Sequence, residues 1–325
     1  MKSEDVSWTI GKTIVEGTVT YPANAGRYPG VVFIAGSGPT DRNWESPLLP
    51  GTNGTARLLA ENLTSHGYVT LRYDKRVSGP HAKQNLPFLL GNISLESHFE
   101  ELKGAVSYLL SRPDINSECI FVLTSSEGAV HAFYYQLHSG VRLFKGMALT
   151  GAPGRPLSEI VNYQIISQAA PFSNKEDLIS RYKKLIERFE NGLPFEPDPV
   201  LPEGVNQAIA ALSAPGNQPF SREFWAFKAA DYVEKIDVPM LIIIGKKDLQ
   251  VDWKLDGEVL EKATKGKANV SFCYPDNANH VLKYEPKPRE ELTMAYALQN
   301  YNSPGASLDH ETFKTILEWL NRHSS

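Results

Sequence analysis

Cysteine is almost missing from this chain: 325 residues hold two, Cys119 and Cys273, both in apolar, strand-like runs. Two thiols so placed read as buried and free rather than bridged, which excludes a disulfide scaffold and fits a reducing compartment. An excess of basic charge is missing too. The net charge is −4 and no long Lys/Arg run occurs, so neither a nucleic acid nor an anionic membrane surface is the expected partner. No apolar run approaches the ~20 residues of a membrane span. The opening MKSEDVSWTI lacks the apolar stretch of a signal peptide. Together these absences give the expectation of a soluble, cytoplasmic protein.

What is present is an ordinary globular composition, 42% hydrophobic and 22% charged. Short β-branched runs alternate with longer helical patterns, as in a mostly parallel sheet covered by helices on both faces. Strands are expected at 6–10, 13–20, 30–35, 69–73, 119–124, 146–150, 239–244 and 269–274. The last six are apolar almost throughout, as strands buried on both faces should be. Helices are expected over 55–66, closed by Gly67, and over 94–111, where Leu95, Phe99, Leu102, Val106 and Leu109 recur at helical spacing. A C-terminal helix should bury Phe313, Ile316, Leu317 and Leu320.

From about Gly154 to Ala230 the strand rhythm stops. Ser173-x-x-Glu176 has the form of a capping box, followed by Leu178, Tyr182, Leu185 and Phe189 on one stripe and a stop at Gly192. A proline-rich hinge, PFEPDPVLP, and a short helix near 204–212 complete the interval. The reading is a core of 1–152 and 231–325 with a helical cap inserted at 153–230. The stripe of Leu178 to Phe189 would then face the open sheet edge. A separate helical domain packed elsewhere is the alternative.

The stretch VLTSSEGAV (122–130) runs from an apolar strand into small polar residues, a Gly and a new apolar run. Ser125 or Ser126 could simply cap the helix that follows. The sharper reading is a nucleophile elbow, a tight strand-to-helix turn that lifts one serine out of the sheet. Ser126 and Gly128 fit G-x-S-x-G, whereas Thr124 stands where the first Gly would be.

A nucleophilic serine needs a base and an acid that orients the base, and in this architecture they follow in the order Ser, acid, His. Asp248 lies just past the strand MLIIIG, and His280 lies in the loop after VSFCYP, at the edge where open α/β sheets form sites. Asp252 is the rival acid, with helix capping as its plainer role, and Asp276 reads as a turn residue. His131 and His138 read as packed or exposed helix positions rather than metal ligands, and no His/Cys/Asp cluster has metal spacing. The oxyanion of acyl transfer needs two backbone N–H donors. Glu127 should supply one at its helix N-terminus, where a carboxylate is also favoured. Ser37, in the loop AGSGPTDRN (35–43), should supply the other.

With these residues in place, the chain resembles the α/β-hydrolases, and among them the esterases and serine-peptidase-like hydrolases with a GSGPxDR loop. The resemblance rests on GSGPTDRN (36–43), RYDKR (72–76), SSEG (125–128), GKKDLQV (245–251) and NANHVLK (277–283). It departs at Thr124, at Ala35 where His often stands, and at Val77 where Gly is usual. It implies an α/β-hydrolase fold with an eight-stranded, mostly parallel sheet, a Ser126–Asp248–His280 triad, no cofactor and no metal. The implied activity is cleavage of carboxylic esters of short to medium acyl chains, on a small-molecule substrate, by an acyl-enzyme route. Thioester, lactone or small-peptide hydrolysis on the same triad are alternatives, as is a non-catalytic ligand-binding scaffold. The oligomeric state stays open.

Overall fold

The computed structural model describes residues 1–140, 143–169 and 172–324. Eight strands form a single sheet: β1 (Lys2–Ile10), β2 (Thr13–Tyr21), β3 (Tyr28–Ile34), β4 (Val69–Tyr73), β5 (Ile115–Ser125), β6 (Gly146–Thr150), β7 (Met240–Ile243) and β8 (Val270–Cys273). Their spatial order is β1-β2-β4-β3-β5-β6-β7-β8. β1 pairs antiparallel with β2, and β2 with β4; from β4 to β8 every pairing is parallel.

Side chains alternate across the central strands, so each strand feeds two cores. Val32, Ile34 and Val122 face one core, shared with Leu102, Val106 and Leu109 of α3 (Leu95–Ser111) and Phe133 of α4 (Gly128–His138). Val31, Phe33, Phe121 and Leu123 face the other, shared with Leu59 and Leu63 of α1 (Thr55–Ser65) and with Ile316 and Leu320 of α12 (His310–His323). Double coverage explains why the strand segments read as continuous apolar runs. β8 departs from that expectation. It has one neighbour only, and its four residues are half-buried or exposed.

Outside the 153–230 interval, helices the sequence pattern did not delimit are α2 (Ala82–Leu89), with Pro87 inside it, α10 (Leu255–Ala263) and α11 (Met294–Asn300). Between β6 and β7 run α5 (Leu157–Ala169), α6 (Lys175–Glu190), α7 (Glu203–Ser213), α8 (Phe220–Ala226) and α9 (Ala229–Val233). The Ser173/Glu176 capping box does not form. α6 starts after Asn174, without a side-chain cap, and Ser173 sits in the preceding turn. The reciprocal box occurs instead on α3, where Ser94 and Ser97 each bond the other's backbone N–H. The stripe of Leu178, Tyr182, Leu185 and Phe189 packs on Leu201, Val205, Ile209 and Trp225, that is, among its helical neighbours rather than against the sheet edge. Arg155 and Asp256 anchor the start of this interval: the Asp256 carboxylate, fully buried, accepts the N–H groups of Gly154 and Arg155 and the Arg155 guanidinium. Among the described residues, no helix is long and apolar enough to cross a membrane. Both cysteines are free; Cys119 is buried, while Cys273 on the edge strand is only half-buried.

Candidate active site

The sequence-predicted site residues all lie beyond the C-terminal ends of parallel strands. Ser37 follows β3, Ser126 and Glu127 follow β5, Asp248 follows β7 and His280 follows β8. At the end of β5 the backbone turns sharply. Ser126 has φ 52°, one of three non-glycine residues in the left-handed region among those described. A side chain is rarely held there without surrounding constraint. The constraint is visible: Ser126 N–H donates to Thr150 O of β6 (2.8 Å), and Ser126 O accepts from Ala129 N–H (2.9 Å) as α4 begins. Gly128 is forced by packing, since a Cβ there would stand 2.7 Å from Ile34 O and 3.0 Å from Ala35 O. Thr124 needs no glycine geometry. It is an ordinary residue of β5, paired with Ile34 and Leu149, and its carbonyl accepts the Thr150 hydroxyl (2.6 Å).

Asp248 and His280 are brought together. His280 donates Nδ1–H to Asp248 Oδ2 at 2.8 Å, and both side chains are buried. The other carboxylate oxygen accepts from Gln250 N–H (2.8 Å) and Val251 N–H (2.9 Å), so the acid is held on both sides. With Nδ1 committed as donor, Nε2 is the nitrogen left to accept a proton. The His280 ring packs on Gly151, where a Cβ would come within 3.2 Å of Cε1. Gly151 follows Thr150, the residue that holds Ser126 N–H, so Ser126 and His280 border the same end of β6. Asp252 is not part of this pair. Its Oδ1 accepts from Lys254 and Leu255 N–H at the start of α10, and its Oδ2 meets Arg289 at 3.1 Å. Asp276 is an exposed partner of Lys246 (2.6 Å).

Ser126 opens on a cavity of about 550 Å³ that Ser37 and Glu127 also line. Its walls are mainly apolar: Leu157, Ile160 and Val161 of α5, Ala208, Ala211 and Leu212 of α7, Phe220 and Phe224 of α8, and Ile93 and Val251 from the sheet side. Neither the Ser37 nor the Glu127 N–H has a hydrogen-bond partner among the described residues. The Glu127 side chain does not cap α4, as its position suggested. It turns inward, 3.3 Å from Lys75 Nζ and 3.2 Å from His131 Nε2. Burial raises its carboxyl, but Lys75 and His131 outweigh that and hold it at about 2. His131 is pushed down to about 4 by burial and by neighbouring His98, so it is neutral at pH 7.

Sequence reasoning missed this buried layer. His98, which lines the cavity, bonds Glu101 at 2.9 Å, and Glu101 in turn bonds Arg76 at 2.9 Å. Phe220 covers both histidine rings, with centroids 4.8 Å from His98 and 5.3 Å from His131. Histidines in two different helices, α3 and α4, carry no local pattern that could have signalled the contact. His138, by contrast, stacks on Tyr134 at 4.1 Å, away from this layer.

The sheet order, the strained serine turn and the acid–histidine pair at neighbouring strand ends define an α/β-hydrolase fold. The comparisons agree, and the relatives are esterases and α/β-hydrolases. Over 272 residues the chain is 27% identical to esterase EstD of Thermotoga maritima, covering 82% of this chain and 57% of that protein. It is 22% identical, again over 82% of its own length and 52% of the other, to acyl-coenzyme A thioesterase 5 of Mus musculus. The chain thus spans about half the length of the curated relatives it matches. Among solved structures, an esterase of Pyrococcus furiosus aligns with TM-score 0.59 at 19% identity, over 100% of this chain and 92% of that one. Est1E from Butyrivibrio proteoclasticus aligns with TM-score 0.56 at 15% identity, over 98% of both. No family model matches the chain.

Proposed function

We propose that this chain is a serine hydrolase that cleaves carboxylic esters through an acyl-enzyme. The observation that carries the reading is the placement of Ser126. It sits at positive φ on the end of β5, facing the 550 Å³ cavity, and the bonded Asp248–His280 pair borders the same end of β6. In the first half-reaction His280 Nε2 takes the Ser126 hydroxyl proton as Oγ attacks the ester carbonyl carbon. Asp248 keeps the imidazole in the required tautomer and stabilises its cation. The N–H groups of Ser37 and Glu127 receive the oxyanion, and the α4 N-terminus adds a favourable field there. Collapse of the intermediate expels the alcohol, protonated by His280. Water, deprotonated by the same nitrogen, then attacks the acyl carbon; the bond to Oγ breaks, His280 returns the proton to Ser126, and the carboxylic acid leaves.

In this reading 153–230 is a cap on a core formed by 1–152 and 231–325. Contributions of α5, α7 and α8 to the cavity wall support it. A walled, mainly apolar cavity suits a neutral acyl group of short to medium length. The thioesterase relative marks thioesters as the second acyl bond to test, but the lining supports esters better. Among the described lining residues the one lysine, Lys75, is already engaged with Glu127. The two free thiols support the cytoplasm as the working compartment.

The test is a panel of p-nitrophenyl esters, acyl-coenzyme A thioesters, lactones and aminoacyl amides, assayed with the native protein and with Ser126→Ala. Ester turnover that Ser126→Ala abolishes is the expected result. Turnover of no panel member, or turnover indifferent to Ser126→Ala, would remove the proposal.

A further inference from the structure

Three consecutive buried charges follow β4: Asp74, Lys75 and Arg76. None belongs to the proposed triad or supplies an oxyanion N–H, yet burying three charges is costly unless each is matched. Two of the matches hold the fold. Asp74 accepts Arg42 N–H (2.7 Å) and Nε–H (2.9 Å), and so clamps the far end of the 35–43 loop. Arg76 donates to Glu101 at 2.9 Å and to Ser97 O at 2.7 Å on α3.

Lys75 is matched differently. Its ammonium donates to Gly36 O at 2.7 Å and stands 3.3 Å from Glu127 Oε1. Gly36 O belongs to the peptide unit whose N–H is that of Ser37. A trans peptide is planar, with its C=O and N–H pointing in opposite directions. Gripping the oxygen therefore fixes the direction of the Ser37 N–H, and a cation on the oxygen also makes that N–H a stronger donor. The second contact is to the side chain of Glu127, whose backbone carries the other proposed donor. Gly36 itself is pressed against the elbow: a Cβ there would lie 3.3 Å from Ser125 O and 3.4 Å from Ser126 Cβ.

We propose that Lys75 is a positioning residue for the oxyanion hole, tying the Gly36–Ser37 peptide and the Glu127 turn into one rigid unit. The proposal rests on the acyl-transfer reading above. His131, bonded to the same carboxylate oxygen of Glu127, completes the brace. The rival role for Lys75 is charge neutralisation of Glu127 alone, with no bearing on the hole. The two roles differ in which partner matters, Gly36 or Glu127.

Lys75→Met keeps the length of the side chain and removes the donor. Each preparation is titrated with a fluorophosphonate, so that rates refer to competent serines. Misplacing a group by about 1 Å can cost ~10²-fold, and the Ser37 donor is loosened rather than removed. A 10- to 100-fold fall in kcat per titrated site is therefore expected, with KM unchanged. The Ki of a trifluoromethyl ketone, whose hemiketal places an oxyanion in the hole, should rise by the factor that kcat/KM loses. A ground-state competitor without that carbonyl should bind as before. Because Lys75→Met strands a buried carboxylate and could unfold the chain, Lys75→Met/Glu127→Gln is measured alongside it. That double variant leaves no unmatched charge and should remain impaired. Wild-type kcat and ketone Ki in either folded variant would overturn the positioning role. Failure of the fluorophosphonate to label Ser126 in the native protein is a separate outcome, and would remove the acyl-transfer reading instead.

Discussion

Gly128→Ala tests how closely α4 must approach the sheet. The added methyl carbon would stand 2.7 Å from Ile34 O and 3.0 Å from Ala35 O, both backbone atoms at the end of β3. Ordinary carbon contacts begin at about 3.5 Å, so a gap of roughly 0.8 Å must open between α4 and β3. Neither partner is the tip of a flexible side chain, and Ile34 is also fixed by its pairing with Thr124. The displacement must therefore pass into the α4 N-terminus, which carries Glu127 N–H, and away from the β3 loop, which carries Ser37 N–H. Overpacking of this kind costs about 1–3 kcal/mol of stability. A donor misplaced by most of an ångström should lower kcat by ~10²-fold while KM changes little. Gly204→Ala is the control: it lies in α7, a Cβ there meets nothing within 4 Å, and alanine should stabilise the helix. The assay is kcat and KM for p-nitrophenyl butyrate, with thermal unfolding of both variants. A folded Gly128→Ala protein with native kcat would refute the close-approach argument and the Glu127 donor together.

Asp248→Asn should cut kcat by about 10⁴-fold, as loss of a triad aspartate does elsewhere, and Asp252→Asn should cost little; steady-state kinetics showing the reverse order would reassign the acid. Phe224→Ala or Ile160→Ala, both on the cavity wall, should move the acyl-chain optimum towards longer esters, measured as kcat/KM along a p-nitrophenyl series. Leu178→Ala should instead leave the optimum in place and lower stability by about 2–5 kcal/mol, because Leu178 packs among helices α6 to α8. Acid stability should fall in two stages. Below about pH 6.5 the unfolded chain protonates at His131, whereas the folded ring resists until about 4, so stability declines as pH drops through that window. Glu101 and Glu127, held at about 2 when folded, add a further loss as pH falls from about 4.5 towards 2. Urea midpoints against pH should show both stages, and His131→Gln should flatten the first; an unchanged slope from pH 6.5 to 4 in that variant would contradict the assignment.

How much of this was legible in the sequence depended on whether the cause was local. The central strands β3 to β7 could be placed because double burial writes itself as unbroken apolar runs, and the Asp248 and His280 loops followed from strand ends. The first residues of β1, Lys2 to Asp5, carry no apolar signal and lie exposed on an edge strand, so nothing marked them. α2 was hidden by Pro87 and by a short, weakly patterned stretch. The α6 stripe was correctly seen as one face, but a stripe does not say which neighbour it meets, and the neighbours proved to be α5, α7 and α8. The Ser173/Glu176 pattern had the letters of a capping box without the geometry, while Ser94 and Ser97 formed one without a Glu. Lys75, His98 and the Glu127–His131 pair come from three separate segments. Only the folded chain reveals that they meet.

The most direct measurement is mass-spectrometric mapping of the native protein after reaction with a fluorophosphonate, with one adduct per chain scored against loss of esterase activity. The account predicts a single adduct on Ser126, formed in step with inactivation and suppressed in His280→Ala. An adduct on Ser125, or full inactivation with Ser126 unmodified, would contradict it.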